Sequence, residues 1–351
     1  MTSDDLRCQC QKAFTRLQEL HGRARADLAR NSEKLDLTFT RFDWIERPRP
    51  MTAIDGSYRK LWHDHQTNSS LFLFRAAALN YEFTDDEKLA LVDVELLDRV
   101  VLLPTDTALS EGSTDLENKL TAALLDFAGR DPRDQSILIS GYQRFFEQQL
   151  ALKMAHEKQQ QIITLDGALA TLNVEPLRNQ LHQLGKVIVK NDHWLIGVTK
   201  VNRTKTWNRI FTDEQVVSRQ GPSDTLAFVP WNPPRIDWIA RIGHAYFAYL
   251  HPKALKWFRV DIFPEEMVPK ELFAALAQYA KDLRLPGYPI PLTEAHRACK
   301  MIRTTSVIPE HVLLESGLSA DIPTELLLLG LLDQFERASG GFHERLDKMT
   351  K

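Results

Sequence analysis

The sequence contains few cysteines and no long apolar run. Its three cysteines, Cys8, Cys10 and Cys299, form no Cys-x-x-Cys pair and lie near no histidines at metal-ligand spacing, which argues against disulfides and against a zinc knuckle. No stretch of about 20 apolar residues is present, as a membrane span would need. The first residues, MTSDDLRCQCQK, are acidic and polar where a signal peptide is basic and then apolar. The chain is therefore predicted to be cytoplasmic, without membrane association.

The sequence also lacks an excess of positive charge. Its formal net charge is −3, so overall attraction to nucleic acid is excluded and such a role would need a local cluster of cations. One cluster is present after an apolar segment and consists of Lys200, Arg203, Lys205 and Arg209. It predicts either a contact surface for phosphates or simply a solvated turn and helix start.

No repeat of solenoid period and no linker rich in glycine or serine divides the chain. We therefore predict one main domain over residues 46–305, with helical extensions over residues 1–45 and 306–351. A further boundary near Pro222 or Pro233 is the alternative.

Hydrophobic periodicity predicts a sheet flanked by helices. The predicted strands are a short segment ending at Asp55 and residues 70–76, 98–103, 161–166, 186–190, 194–199, 236–250 and 256–263. The predicted helices are 4–30, 115–129, 134–159, 174–184 (closed by Gly185), 268–284, 292–303 and a leucine-rich segment over 323–337. This alternation indicates an α/β domain with a mixed sheet.

Two segments place an aspartate at the end of an apolar strand with glycine directly after it: Asp55-Gly56 and Asp166-Gly167. Ligands of open α/β sheets lie in the crevice beyond the strand ends, so the two carboxylates are expected to converge on a divalent cation. Glycine permits close approach of another group or a positive φ. The alternative is that both pairs are hairpin corners, although the flanking residues do not alternate as hairpin strands do.

Three further residues carry chemistry that fits such a site. Glu147 lies on the predicted helix 134–159 and is expected to face the sheet, although many helical acids are solvated and Glu157 is a competing candidate. His296 begins a helix after a rigid turn that carries Tyr288. Imidazole is a good ligand for manganese-like cations and a general base near neutral pH, although a lone histidine on a helix is more often structural.

The order of these segments along the chain resembles the NurA family of DNA end-processing nucleases. The resemblance rests on AIDGS, a helical glutamate, LDGAL, GVTK and YPIPLTEAH, and it spans roughly residues 50–303. It implies a ribonuclease H-like fold and manganese-dependent hydrolysis of phosphodiester bonds at DNA ends and in single strands. It also implies a homodimer that works in DNA end resection and repair with a hexameric HerA-type translocating ATPase.

The resemblance also implies a role for each matching residue. Asp55 and Asp166 match the metal-binding aspartates, Glu147 the helical glutamate, Tyr288 and His296 the C-terminal pair, and Lys200 the lysine after the third motif. The resulting hypothesis is a two-metal site held by Asp55, Glu147, Asp166 and His296, with Mn²⁺ favoured by the imidazole and Mg²⁺ possible. The residues expected to contact DNA are Lys200, Arg203, Lys205 and Tyr288.

Two other functions are compatible with the same sequence. One is a non-catalytic subunit that binds DNA or a translocating ATPase, which would bind without cleavage. The other is a nuclease of the same fold that acts on RNA or on branched DNA.

Overall fold

The structure is a computed structural model. It describes residues 37–45, 47–63, 69–103, 115–129, 135–206, 212–264 and 269–304, together with scattered residues between 11 and 26. The described residues between 11 and 26 are helical, as predicted for that segment. Arg209, the predicted helix 323–337 and the predicted extension 306–351 lie outside the described residues.

A nine-stranded mixed sheet forms the centre of the described part of the molecule, in the order β1-β8-β10-β11-β7-β5-β2-β3-β4. Its strands are β1 (Thr40–Arg41), β2 (Met51–His63), β3 (Ser70–Phe83), β4 (Leu89–Leu103), β5 (Ile162–Asp166), β7 (Trp194–Thr199), β8 (Ala227–Trp231), β10 (His244–Tyr249) and β11 (Phe258–Phe263). Two short strands, β6 (Ala170–Leu172) and β9 (Ile239–Arg241), pair separately as a ribbon.

Five strands carry the ribonuclease H-like part of this sheet. β2, β3 and β4 are consecutive antiparallel strands, and β5 then returns to pair parallel with β2, followed by β7 parallel to β5. The antiparallel strands β11, β10, β8 and β1 extend the sheet beyond β7. The predicted α/β fold with a mixed sheet and flanking helices is confirmed.

Helices cover both faces of the sheet. They are α1 (Asp115–Phe127), α2 (Gln135–Glu157), α3 (Glu175–Lys190), α4 (Asp213–Gln220), α5 (Pro269–Tyr279) and α6 (Ile290–Thr304). One apolar core lies between the sheet and helices α1, α2 and α3, and a second lies between the sheet and helices α5 and α6. None of the helices among the described residues is long and apolar enough to cross a membrane.

Side chains alternate between these two cores along the central strands. On β2, Ala53 packs into the core of α5 and α6, whereas Ile54 packs into the core of α1 to α3. This is the two-residue period of a strand that is buried on both faces. The alternation therefore directs Asp55 toward α6 and Gly56 toward α2.

Several predicted strands are longer in the structure than the sequence indicated. Strand β2 does not end at Asp55 but continues to His63, and β3 and β4 extend the predicted strands 70–76 and 98–103. The predicted strand 236–250 is divided into β9 and β10. Long antiparallel pairing between β2, β3 and β4 supports these extensions, because the ladder hydrogen bonds between the strands stabilise residues whose own sequence does not signal a strand.

The prediction that Gly185 ends a helix and that 186–190 form a strand is wrong. Helix α3 continues through Gly185 to Lys190. A Cβ at position 185 would lie 3.3 Å from the ring of Phe263, so this glycine permits close packing rather than a helix end. Val187 and Ile188 are buried on the same face as Leu184, which explains why β-branched residues remain helical here.

The division of the chain into a main domain over 46–305 and two extensions stays a prediction. The last residues of the predicted N-terminal extension are not helical, because Thr40 and Arg41 form β1 and pair with Phe228 and Ala227 of β8. The edge of the sheet therefore includes residues from before position 46.

Candidate active site

Strand register brings Asp55 and Asp166 to the same level of the sheet. The parallel pairing of β2 with β5 ends at the pair Ile54 and Leu165, and each aspartate is the next residue of its strand. Beyond this point β2 continues beside β3 alone, which opens a crevice next to β5. The predicted convergence of the two carboxylates is thus produced by the strand ladder, although Asp55 lies within its strand.

The glycines after the two aspartates serve different purposes. Gly56 faces helix α2, and a Cβ there would lie only 2.6 Å from Oε1 of Glu147. Gly167 has a φ of +101°, which a residue with a side chain rarely adopts, and it ends β5 directly after Asp166. Neither Asp-Gly pair is a hairpin corner.

His296 contacts Asp55 directly. Its Nδ1 lies 2.6 Å from Oδ2 of Asp55, while Oδ1 of the same carboxylate accepts a hydrogen bond of 2.8 Å from the Gly56 amide. One turn further along α6, the thiol of Cys299 donates to the Asp55 carbonyl oxygen at 2.8 Å. Helix α6 is therefore attached to β2 at the residue on which the site is centred.

Asp166 is held by two residues from the other side of the crevice. Nζ of Lys200 lies 2.5 Å from its Oδ2, and the hydroxyl of Tyr288 donates to its Oδ1 at 3.2 Å. The Lys200 ammonium also lies 5.3 Å from the centre of the Tyr288 ring. Lys256 donates to the carbonyl oxygen of Lys200, which fixes the backbone that follows β7.

Glu147 approaches the site from helix α2, on the opposite face of the sheet from His296. Its carboxylate accepts hydrogen bonds from Gln143 at 3.0 Å and from Arg144 at 2.9 Å, and it is buried. Gln143 also donates to the Gly56 carbonyl oxygen at 2.9 Å. Arg144 donates to the carbonyl oxygens of Ala168 and Ala170, so it joins α2 to the segment after Asp166.

The carboxylates disfavour one another's charge. Burial, followed by the charges of Asp166 and Glu147, raises the pKa of Asp55 to about 8, although Lys200 and the Gly56 amide act in the opposite direction. Burial also raises the pKa of Glu147, against the opposing effect of Arg144. The pKa of Tyr288 is raised by burial and by Asp166 and Asp55, so its hydroxyl keeps its proton and serves as a donor.

The donor set fits a divalent cation. Asp55, Asp166 and His296 each offer one ligand atom, and these atoms all lie within 4.8 Å of one another. Two carboxylates and one imidazole suit manganese-like ions, and a bound cation would relieve the repulsion that raises the pKa of Asp55. Glu147 contributes its charge from the α2 side, engaged with Arg144. Which of these residues bind metal stays a prediction.

The structure separates the predicted contact residues for nucleic acid into two groups. Lys200 and Tyr288 lie in the site, whereas Arg203 and Lys205 are exposed on the segment that leads away from it. Sequence reasoning did not find Gln143, Arg144 or Cys299. Their partners are backbone oxygens and a helical carboxylate, so no local motif marks them.

Two clefts meet at the carboxylates. One has a volume of about 440 Å³ and includes Asp55, Glu147 and Asp166 in its lining. The other has a volume of about 500 Å³ and lies on the side of Lys200, Tyr288 and His296. Lys200, Tyr288 and His296 line the second cleft and bond to the two aspartates that line the first, so the carboxylates lie between the two clefts.

One family of known proteins matches this chain in sequence and in fold. The model of the NurA domain matches residues 49–301 of this chain. The crystal structure of the NurA nuclease from Sulfolobus solfataricus is 16% identical and is similar over 89% of this chain and 98% of that chain, with a TM-score of 0.52. Another crystal structure, described as NurA, is 9% identical over 93% of this chain and 100% of that chain, with a TM-score of 0.54. No curated protein sequence matches the chain.

The solved structures, at this level of identity, show that the fold is shared. The domain model spans well over half of the sequence, and its bounds include every residue of the site described above. The chain belongs to the NurA family.

Proposed function

We propose that this protein is a divalent-metal-dependent nuclease that hydrolyses phosphodiester bonds at DNA ends and in single strands. The observation that carries the proposal is the convergence of Asp55, Asp166 and His296, whose ligand atoms lie within 4.8 Å of one another beside two clefts. Membership in the NurA family and similarity to the NurA nuclease from Sulfolobus solfataricus support it.

Asp55, Asp166 and His296 would hold the cation, with Glu147 completing the carboxylate set from α2. When bound, divalent ions of this kind neutralise charge on the phosphate and lower the pKa of a bound water. We propose Mn²⁺ as the physiological ion, because imidazole suits it better than Mg²⁺.

The chain's own residues would position the reacting groups. Tyr288 donates to Oδ1 of Asp166 and thereby orients this carboxylate. Lys200, half-buried beside Asp166, supplies a positive charge where a phosphate would enter. Arg144 balances the charge of the buried Glu147 and holds the backbone after Asp166, so the carboxylates keep their places as substrate enters and leaves.

We also propose two partners, a second copy of this chain and a HerA-type ATPase that would deliver the DNA. A net charge of −3 agrees with a nuclease that receives its substrate from a partner rather than by overall attraction. Co-purification of the chain with such an ATPase is the expected result, and absence of any complex between the two purified proteins would contradict this part of the proposal.

The test of the nuclease uses end-labelled single-stranded and duplex DNA, incubated with Mn²⁺, Mg²⁺ or a chelator. The wild-type protein is compared with Asp55→Asn, which is isosteric and removes the central carboxylate. Manganese-dependent shortening that the variant lacks is expected. Full cleavage by Asp55→Asn would reject the assignment, and binding without cleavage by the wild type would indicate a non-catalytic subunit.

A further inference from the structure

An exposed tryptophan lies in the cleft that contains the carboxylates. Trp238 is 53% exposed, whereas Trp231 and Trp257 are each 2% exposed. It lines the cleft of about 440 Å³ together with Asp55, Glu147 and Asp166. A large aromatic ring left in solvent forgoes much of the free energy that its burial would provide, and it is therefore a candidate for contact with a ligand.

The backbone that carries Trp238 is fixed. The backbone amide of Asn173 donates to the carbonyl oxygen of Trp238 at 2.9 Å. The side-chain amide of Asn173 donates to the carbonyl oxygen of Asp237 at 2.9 Å. A turn is closed by the bond from the Ile239 amide to the Ile236 carbonyl oxygen at 3.0 Å. The ring is thus presented from a rigid turn, which reduces the entropy that would be lost when a flat ligand binds to it.

The same turn is joined to the metal-binding segment. Trp238 directly precedes β9, which pairs with β6, and β6 begins four residues after Asp166. Arg144, which holds Glu147, donates to the carbonyl oxygen of Ala170 at the start of β6 at 3.2 Å. The pairing of β9 with β6 and the hydrogen bond from Arg144 to β6 therefore fix the position of Trp238 relative to the carboxylates.

We propose that Trp238 is a stacking platform for an unpaired nucleobase of the strand whose phosphate lies at Asp55 and Asp166. This inference rests on the proposed nuclease function and deepens it, because it names the residue and the cleft that would hold a base of the single strand. Bases stack on aromatic rings with little regard to their identity, so the contact supplies affinity without sequence preference. A cleft of about 440 Å³ is within the size range of sites for ligands as large as a nucleotide.

The test measures strand binding separately from cleavage. Binding of a fluorescent oligothymidine, and of the same backbone with abasic residues in place of thymidines, is followed by anisotropy in the presence of chelator. Wild type is compared with Trp238→Ala, with Trp238→Phe and with Val189→Ala, a control that removes a side chain 58% exposed on α3.

We expect Trp238→Ala to bind oligothymidine about tenfold or more weakly, in line with the loss of one stacked base. Trp238→Phe should keep most of the affinity, and Val189→Ala should keep all of it. The abasic strand should bind equally to wild type and Trp238→Ala, because it offers no ring to stack. All variants should retain the thermal stability of the wild type, since these side chains are exposed.

Three results would overturn the inference. Equal oligothymidine affinity of wild type and Trp238→Ala would reject the platform, as would an equal loss for the abasic strand. A changed oligomeric state of Trp238→Ala with unchanged strand affinity would assign the ring to a protein interface instead. If the wild type neither binds nor cleaves any strand, the proposed function itself fails, whereas normal cleavage and binding by Trp238→Ala would reject the platform alone.

Discussion

The side chain of Glu147 packs directly against the backbone of Gly56. A Cβ at position 56 would lie 2.6 Å from Glu147 Oε1 and 3.0 Å from its Cγ, and it would also lie 3.0 Å from Cγ of Gln143. Gln143 donates both to the Gly56 carbonyl oxygen and to Glu147. Helix α2 is therefore attached to β2 at Gly56, directly after Asp55. Because Gly56 has no side chain, Glu147 can lie against its backbone.

Gly56→Ala is expected to displace Glu147 and to destabilise the protein. Overpacking of a buried contact of this kind costs about 1–3 kcal/mol in the free energy of unfolding, which urea denaturation would measure. Cleavage should fall with it, because the carboxylate can no longer keep its place.

A double variant separates this clash from a general effect of alanine in a strand. When Glu147→Ala has removed the carboxylate, Gly56→Ala should cost clearly less than it does in the wild-type background. Equal costs in both backgrounds would mean that Glu147 is not the obstructing group.

Asp55→Asn is expected to stabilise the metal-free protein, and more so at high pH. The pKa of Asp55 is raised from 3.8 to about 8, so between these values the folded state holds a proton that the unfolded state has released. Stability therefore falls as pH rises through this window, and asparagine removes that loss. Thermal unfolding in chelator should show a small difference between variant and wild type near pH 4 and the largest difference above pH 8.

Added Mn²⁺ should make the wild type more stable than Asp55→Asn. The wild type should gain stability from binding of the ion, and Asp55→Asn should gain little. A variant that is less stable than the wild type in chelator at pH 8, or one that is stabilised equally by Mn²⁺, would contradict the electrostatic account of this site.

Tyr288→Phe is expected to weaken metal binding while leaving the fold intact. The lost hydroxyl donates to Asp166 at 3.2 Å, and removal of such an orienting bond typically lowers metal affinity or activity by about 10–100-fold. Titration of Mn²⁺ by calorimetry would measure the change. Tyr249→Phe is the matched control, because its hydroxyl bonds to the carbonyl oxygens of Ser223 and Ala254, which are not part of the site. An unchanged metal affinity in Tyr288→Phe would show that the bond to Asp166 has no such role.

The two aspartates could be found in the sequence because their signal is local. An apolar run followed by Asp-Gly marks each carboxylate, although only Asp166 ends its strand, and the register of β2 with β5 places both at one level. The long continuation of β2 could not be predicted in the same way, because it depends on pairing with β3 and not on the residues after Asp55 alone.

The contacts that complete the site are long-range and left little local signal. His296 and Asp55 are separated by 241 positions, and their contact depends on how α6 packs across β2. Gly185 shows the converse, since a residue typical of helix ends lies inside α3 and accommodates the ring of Phe263. In both cases tertiary packing determines the role of the residue, and the hydrophobic periodicity of a single segment does not indicate it.

Lys200 is expected to act on the chemical step, and Arg203 and Lys205 only on binding. Lys200 contacts Asp166 at 2.5 Å and lowers the pKa of Asp55, whereas the other two cations are exposed. Lys200→Gln should therefore raise the pKa of Asp55 further, so that the acidic limb of the pH profile of kcat moves to higher pH. Arg203→Gln and Lys205→Gln should raise KM without moving that profile.

The salt dependence of strand affinity provides a second measurement on the same three variants. Each lost contact between a cation and a single strand reduces the slope of log affinity against log salt by about 0.7, so Arg203→Gln and Lys205→Gln should each show this reduction if they contact phosphates. A Lys200→Gln variant with an unshifted pH profile and only a reduced salt slope would place Lys200 with the other two, as a phosphate contact that acts independently of the carboxylates. A shifted profile would instead tie the charge of Lys200 to the ionisation of Asp55, as their electrostatic interaction in the structure predicts.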